Sequence, residues 1–252
     1  NTSASLAWDK ASRMSAAFGA PVWMTETSGY TQTWAGSMSL AEAMYAALKF
    51  GKASAWVWWQ LGSSAPPNEY ELLSNGQPTN HYYASKQYYR YVRPGAVMID
   101  IDDSGDAELF AVAFNHKTER TLTVVLLNVG AALKQVTLTG ASLPGSLKRY
   151  VSTQSKHCTE ESALNPTSSF TVEPNSITTL FGDSYSPVGV RHSPASSGAA
   201  SPGLHPDRRA SAWYSLDGRS VGLDLSAMRR VPHGVLLRRT HGRSGVARVT
   251  VR

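Results

Sequence analysis

A carboxylate stands directly after a short apolar run near the start of the chain. Residues 21–30 read PVWMTETSGY, in which Val22–Met24 suit a buried strand and Glu26 follows, ahead of the turn signal Ser28-Gly29. A surface acid where the strand reaches solvent is one interpretation. The other is a catalytic carboxylate at the rim of a barrel, where strand ends carry the chemistry.

A second apolar run, residues 53–61 (ASAWVWWQL), is rich in tryptophan. In a strand, alternation puts Trp56 and Trp58 on one side and Val57 and Trp59 on the other. At most two of the three tryptophans can therefore face a cleft, and the rest pack in the core.

Further polar and aromatic residues lie in or beside the loops that follow these two runs. Tyr30 and Trp34 follow the first run, and Gln60 ends the second; binding and packing both remain open for them. Glu69 and Glu71 lie in the second loop. A second catalytic carboxylate is conceivable there, but the composition favours acids that are solvated in a loop.

The residues that most often hold metals or cofactors show no such pattern. His81, His116 and His157 lack metal-ligand spacing, and no phosphate-binding loop occurs. We therefore predict no metal site and no cofactor. The single cysteine, Cys158, excludes a disulfide within the chain.

The elements that would position these residues alternate between helix and strand. Helical periodicity or capping signals predict three helices, and apolar runs predict two strands between them. In chain order these are a helix at 5–18, a strand at 21–25, a helix opened by the capping box Ser39-x-x-Glu42 and ended by Gly51, a strand at 53–61 and a helix at 81–92. Apolar strands that alternate with helices indicate a parallel sheet covered by helices.

The pattern changes at about residue 97, where short strands separated by turns predict an antiparallel sandwich. The predicted strands are ELFAVAF, TLTVVLLN, KQVTLTG, LKRYVST and SFTVEP with SITTLFG. Residues 184–210 are rich in Ser, Pro and Gly, which is typical of a linker. Residues 211–252 return to short strands, with hairpin signals at Asp217-Gly218 and His241-Gly242.

Charge separates the tail from the rest of the chain. Residues 1–183 carry 13 basic and 15 acidic side chains, whereas residues 184–252 carry 11 arginines, no lysine and 3 aspartates. No nucleic-acid recognition motif accompanies these arginines, so nucleic-acid binding is not predicted. No apolar run approaches the roughly 18 residues of a membrane span.

As a set, PVWMTETSGY, ASAWVWWQL, HYYASKQYYRYVRPGAV and the strands through NSITTLFG resemble glycoside hydrolase family 30. The resemblance covers residues 1–183 in order. It implies that residues 1–95 are the last quarter of a (β/α)₈ barrel, with strands 7 and 8, and that residues 96–183 are its β-sandwich side domain.

The resemblance also implies roles for individual residues. Glu26 stands where the family has the nucleophile of a retaining mechanism, and the acid/base glutamate, at the end of strand 4, would lie before Asn1. Trp59 resembles the family's sugar-platform tryptophan, with Gln60, Tyr30 and Trp34 as further candidates for substrate binding. The stretch Gln60–Ser64 departs from the family's sequence pattern. It lacks the basic residue that binds glucuronate in one branch of the family. This favours neutral glycans, with xylan as one candidate.

The tail segments WYSLDGRSV, VPHGVLLRR and GVARVTVR resemble the C-terminal sorting domain of type IX secretion substrates. That resemblance implies a secretion machinery as partner and a secreted or cell-surface location. The alternative is an accessory sandwich with an arginine-rich face.

Together these observations predict an α/β plus all-β fold, with the end of a (β/α)₈ barrel, an antiparallel β-sandwich and a short C-terminal β module. The predicted function is that of a fragment of a retaining β-glycanase acting on a polysaccharide or oligosaccharide, with no hydrolysis expected from the isolated chain. The alternative is a non-catalytic carbohydrate-binding or assembly module.

Overall fold

The computed structural model describes residues 2–64, 66, 68–102, 105–140 and 143–185, and four short strands closer to the C-terminus. The predicted linker lies outside the described residues from residue 186 onward. Among the described residues, no helix is long and apolar enough to cross a membrane.

Helices and strands alternate in the first part of the chain, which confirms the predicted order. The elements are α1 (Thr2–Phe18), β1 (Val22–Thr27), α2 (Trp34–Lys49), β2 (Ala53–Trp58) and α3 (Asn80–Tyr89). β1 and β2 pair in parallel. Helices cover one face of this pair: the rings of Trp8 and Trp56 lie 6.4 Å apart, and those of Trp58 and His81 lie 5.2 Å apart.

The predicted start of α2 is wrong. The helix begins at Trp34, and the side chain of Thr33 caps it by accepting a hydrogen bond from the amide of Gly36 at 3.2 Å. Ser39 therefore lies inside the helix and not at its cap. The earlier start buries Trp34 and Met38, so packing rather than the Ser39-x-x-Glu42 signal decides the boundary.

The connection between β2 and α3 is folded, although the sequence predicts only a loop there. It contains three short strands, β3 (Gly62–Ser63), β4 (Leu73–Ser74) and β5 (Gln77–Pro78). Asn75 and Gly76 join β4 to β5 with φ values of +49° and +75°. Two consecutive positive φ values are the signature of a type I′ hairpin turn, which Asn-Gly adopts readily.

An eight-stranded sheet dominates the second part of the chain. Its order is β10-β18-β6-β7-β8-β14-β11-β12, and a separate two-stranded ribbon pairs β9 with β13. The strands are β6 (Val97–Asp102), β7 (Leu109–His116), β8 (Thr121–Asn128), β9 (Lys134–Val136), β10 (Leu138–Gly140), β11 (Leu147–Ser152), β12 (Thr159–Leu164), β13 (Phe170–Val172), β14 (Ser176–Gly182) and β18 (Arg248–Val251). β6 and β12 are absent from the predicted set, and the predicted strand KQVTLTG divides into β9 and β10.

The middle of the large sheet is buried on both faces. In β8, Val124 and Leu126 pack in a core that includes the β9–β13 ribbon, whereas Val125 and Leu127 pack in a core with residues of α2 and α3. Each such side chain contributes about 1.5–3 kcal/mol through burial. The helices of the first part are thus held against the sheet of the second.

Three short strands of the tail form a small sheet, and the fourth does not join them. β15 (Ala212–Tyr214) pairs antiparallel with β16 (Ser220–Gly222) and with β17 (Leu237–Arg239). β18 lies between β6 and β10 in the large sheet. The turn dipeptides Asp217-Gly218 and His241-Gly242 lie outside the described residues. The strands on either side of His241-Gly242 belong to different sheets, so they do not form the predicted hairpin.

Candidate active site

Glu26 lies in an irregularity between β1 and β2. Met24 is paired with Trp56 and Thr27 with Trp58, so two residues, Thr25 and Glu26, stand opposite Val57 alone. Such a bulge redirects side chains relative to regular alternation. Met24 and Thr27 share the face of Trp56 and Trp58 and are half-buried, whereas Thr25 and Glu26 are exposed, which indicates that Glu26 is on the opposite face.

The face that carries Glu26 is exposed, in contrast to the helix-covered face. Trp23, Val57 and Trp59 are 61%, 49% and 53% exposed, and Glu26 is exposed as well. Trp58, on the covered face, is 8% exposed. A carboxylate and two large indole rings thus share one open face of the strand pair.

The end of β2 fixes Trp58 and leaves Trp59 free on its outer side. The indole N–H of Trp58 donates to the carbonyl oxygen of Tyr70 at 2.9 Å. The backbone N–H of Trp59 donates to the carbonyl oxygen of Thr27 at 2.9 Å. The peptide bond between Trp59 and Gln60 is cis. Gln60 is half-buried, and its backbone N–H also donates to Tyr70.

The loops after β1 and β2 are joined by several polar contacts. The backbone N–H of Gly29 donates to the carbonyl oxygen of Glu69 at 3.2 Å. The side chain of Gln32 donates to the carbonyl oxygen of Glu71 at 2.9 Å, and Nε2 of His81 lies 3.0 Å from the carbonyl oxygen of Thr31. The loops that follow β1 and β2 are therefore connected to each other, and His81 in α3 is bonded to the loop after β1.

Glu71 is not a solvated loop acid, which corrects the expectation from the sequence. Its side chain is 0% exposed, and its Oε1 accepts a hydrogen bond from the amide of Asn68 at 2.8 Å. His81 is also fully buried. Burial lowers the pKa of His81, opposed by the Thr31 carbonyl and by the charge of Glu71. Alternation and loop composition do not predict the burial of either residue.

Tyr30 and Trp34, for which the sequence leaves binding and packing both open, lie in different environments. Tyr30 is half-buried with its ring 6.0 Å from that of Trp58, and its pKa is raised by burial and by Glu42. Trp34 is buried, and its indole N–H donates to the carbonyl oxygen of Asn175 at 2.7 Å. Because its ring packs in the core under the large sheet, we leave Trp34 out of the proposed site.

Metal chemistry finds no support in the arrangement of side chains. Within the described part of the chain, no group of three or more His, Cys, Asp or Glu residues could hold a metal ion. The chemistry available at the exposed face is that of a carboxylate beside aromatic rings.

The chain is similar to enzymes that act on xylan. It is 24% identical over 116 residues to the glucuronoxylanase XynC of Bacillus subtilis, a match that covers 44% of this chain and 26% of that protein. The chain thus spans about a quarter of this curated relative's length. No family model matches the chain.

Two solved structures share the fold. The family 30 endoxylanase of Clostridium papyrosolvens C71 superposes with a TM-score of 0.58 at 20% identity, covering 66% of this chain and 42% of that one. The family 30 subfamily 8 xylanase Xyn30A of Clostridium acetobutylicum gives 0.57 at 18% identity, covering 66% and 43%. These relatives are glycoside hydrolases, and this chain spans less than half of their length.

Proposed function

We propose that the chain is the C-terminal part of a retaining β-glycoside hydrolase of family 30, with Glu26 as its nucleophile. The observation that carries the proposal is the bulge at Thr25 and Glu26, where an exposed carboxylate stands one residue before the end of β1, while the exposed Trp59 directly follows β2. The similarity in fold to two xylanases supports it. An upstream segment of the whole protein supplies the acid/base glutamate in this proposal.

In the proposed reaction, ionised Glu26 attacks the anomeric carbon and forms a covalent glycosyl-enzyme. The acid/base protonates the leaving oxygen and then activates the water that hydrolyses the intermediate. Retention requires the two carboxyl groups to lie about 5–5.5 Å apart. The isolated chain should hydrolyse nothing, because one of the two is not among its residues.

Substrate recognition is proposed to rest on aromatic surface rather than on charge. The ring of Trp59 can cover the C–H face of a pyranose through burial and dispersion, and Gln60 can accept or donate a hydrogen bond to a hydroxyl. Residues 60–80 contain no lysine or arginine. We therefore propose a neutral glycan such as unsubstituted xylan, rather than one recognised through a bidentate arginine–carboxylate pair.

The nucleophile is tested by labelling and substitution in the full-length gene product. A 2-deoxy-2-fluoro glycoside with a good leaving group should label Glu26, as identified by peptide mapping. Glu26→Gln should lower kcat by several orders of magnitude, because the amide cannot form the intermediate. Glu69→Gln is the matched control, since Glu69 is an exposed acid in the neighbouring loop, and it should retain near-normal turnover. Labelling of another residue would sink the assignment.

A non-catalytic carbohydrate-binding module is the second candidate. Trp23 and Trp59 are more than half exposed on one face, which suits an aromatic platform without any chemistry. Under that reading, Glu26→Gln leaves glycan affinity intact and the wild-type full-length protein hydrolyses no member of a glycan panel.

A secreted or cell-surface location and delivery through the tail are also part of the proposal. The arginine-rich tail, which follows a segment rich in Ser and Pro, is proposed as an address that the secretion machinery reads.

A further inference from the structure

An open cavity lies between the first part of the structure and the large sheet. Its volume is about 950 Å³, and its lining comes from β2, β6, β7 and the C-terminal ends of α2 and α3. Most of the lining residues are apolar, and two of them, Tyr89 and Val97, are 42% and 58% exposed. Neither Glu26 nor Trp59 lines this cavity, so the proposed reaction leaves it without a role.

Two buried polar atoms of the lining residues have no hydrogen-bond partner among the residues that the structure describes. One is the indole nitrogen of Trp56, a donor on β2, and the other is Oδ1 of Asn115, an acceptor on β7. Asn115 is only 3% exposed. Because a buried donor or acceptor without a partner is unfavourable, a molecule in the cavity that offers one acceptor and one donor would stabilise both residues.

The charged residues of the cavity lining are mostly basic. Lys52, Arg93 and Lys117 border the cavity together with a single acid, Asp100. The arginine-rich tail, with 11 arginines and 3 aspartates in residues 184–252, would be repelled by these three cations. The charges therefore favour an occupant that carries a carboxylate.

A polypeptide segment with apolar side chains meets these requirements. Each of its peptide units supplies one carbonyl acceptor and one N–H donor, and its side chains remove the apolar lining from water. The matches cover 26% of the curated relative and 42% of the endoxylanase that shares the fold. A full-length protein of similar size would therefore contain a long further stretch of chain that could supply such a segment.

We propose that this cavity is the seat of an extended segment from the part of the full-length protein that precedes Asn1. A backbone carbonyl of the segment accepts the indole N–H of Trp56, a backbone N–H donates to Oδ1 of Asn115, and a carboxylate faces Lys52 and Lys117. The inference rests on the proposed function, in which the same upstream part supplies the acid/base glutamate. It adds the surface on which that part is held.

A photoreactive side chain identifies the occupant of the cavity in the full-length gene product. With p-benzoylphenylalanine in place of Val97, irradiation should capture a peptide from upstream of Asn1, as read by mass spectrometry of the digest. The same amino acid in place of Leu133, which is 62% exposed in the connection between β8 and β9, is the control and should not capture that peptide. Capture of residues 184–252, of a small molecule or of nothing at all from position 97 would overturn the proposal.

Two neighbouring tryptophans test the hydrogen bond to the segment. Trp56→Phe keeps an aromatic ring and removes the unpaired N–H, so amide hydrogen exchange in the captured segment should become about fivefold faster. Trp58→Phe is the matched control, because the N–H of Trp58 already bonds the carbonyl oxygen of Tyr70, and it should change that rate by less than about twofold. An unchanged rate in Trp56→Phe would contradict the proposed seat.

Neither readout requires turnover, so the two proposals can fail separately. A full-length protein that captures the upstream peptide but hydrolyses no glycan would sink only the proposed function. An active protein in which position 97 captures no upstream peptide would sink only this inference. If Trp56→Phe does not fold, the cross-link alone decides.

Discussion

Trp58 and Trp59 are neighbours in the chain but have opposite environments. Trp58 is 8% exposed, with its N–H bonded and its ring against His81 and Tyr30, whereas Trp59 is 53% exposed. Strand alternation predicts this contrast from the sequence. The physical consequence is that the Trp58 indole stabilises this part of the fold, whereas more than half of Trp59 is left uncovered by the described residues.

Alanine substitutions should separate these two contributions. Trp58→Ala should lower the free energy of unfolding by about 3–5 kcal/mol, because it leaves a cavity under the loop after β2. Trp59→Ala should cost about 1 kcal/mol or less and instead raise KM, or the Kd for a glycan. Denaturant unfolding and glycan binding of the full-length gene product give both numbers. Equal stability losses in the two variants would contradict the assignment.

Glu26 could be proposed from the sequence because a local signal, an apolar run followed by a carboxylate ahead of a turn, coincides with the resemblance to glycoside hydrolase family 30. Trp34 and Glu71 could not be assigned in this way. The N–H of Trp34 is bonded to Asn175, 141 residues away, and Glu71 is fully buried although it lies in the connection between two short strands. Neither the distant hydrogen bond of Trp34 nor the burial of Glu71 can be inferred from the residues that flank them in the sequence.

At the level of the elements, the start of α2 shows how packing overrides a capping signal. Ser39-x-x-Glu42 has the spacing of a capping box, yet the helix already begins at Trp34 behind Thr33. Trp34 and Met38 gain burial only if the helix extends back to Thr33. The spacing of residues in the sequence does not show how much apolar surface each possible helix start would bury.

The cap of α2 predicts that substitutions at Thr33 and Ser39 have different effects on stability. Thr33→Ala should lower the free energy of unfolding by about 1 kcal/mol, because the amide of Gly36 loses its acceptor. Ser39→Ala should be neutral or slightly stabilising, since Ser39 is exposed inside the helix and alanine has the higher helix propensity. Chemical denaturation of both variants checks this. A larger loss of stability in Ser39→Ala than in Thr33→Ala would instead support the predicted helix start at Ser39.

β8 shows a second limit of sequence patterns. TLTVVLLN has no alternation, which is typical of parallel strands covered on both faces, yet β8 pairs antiparallel with β7 and β14. Helices cover one face and the β9–β13 ribbon the other. β12, by contrast, is an edge strand with the sequence TEESAL, whose first four residues are polar, so no apolar run or alternation marks it as a strand.

For the whole molecule, protection against hydrogen exchange should follow burial rather than chain order. In the isolated chain, amides of β7, β8 and β14 should exchange slowest, because both faces of these strands are covered. Amides of β1 and β2 should exchange faster, since one face of that pair is open. Because α2 and α3 pack against the large sheet, we expect the amides of both helices to be protected together with the sheet. Uniform protection across β1, β2 and β8 would contradict this order.

The tail offers a second prediction at this scale. If it serves as a removable address, the mature secreted form should end within about residues 184–210. Mass spectrometry of the protein from the culture fluid checks this. Removal would take away β18, so the amides of β6 and β10 should then exchange faster than in the full chain. A secreted form that ends at Arg252 would argue against removal.

Both faces of the central strands in the large sheet are covered, so shortening this chain would expose apolar surface. Hydrogen bonds that join the first part to the second include Gln87 to Ser152, Thr179 to Gln87 and Thr123 to Tyr91. A truncation after residue 95 would cut through these bonds. It would also strip α2 and α3 from the apolar side chains Val112, Phe114, Val125, Leu127 and Ile177. A large exposed apolar patch promotes aggregation, so a soluble expression fragment of the sheet has to retain both helices.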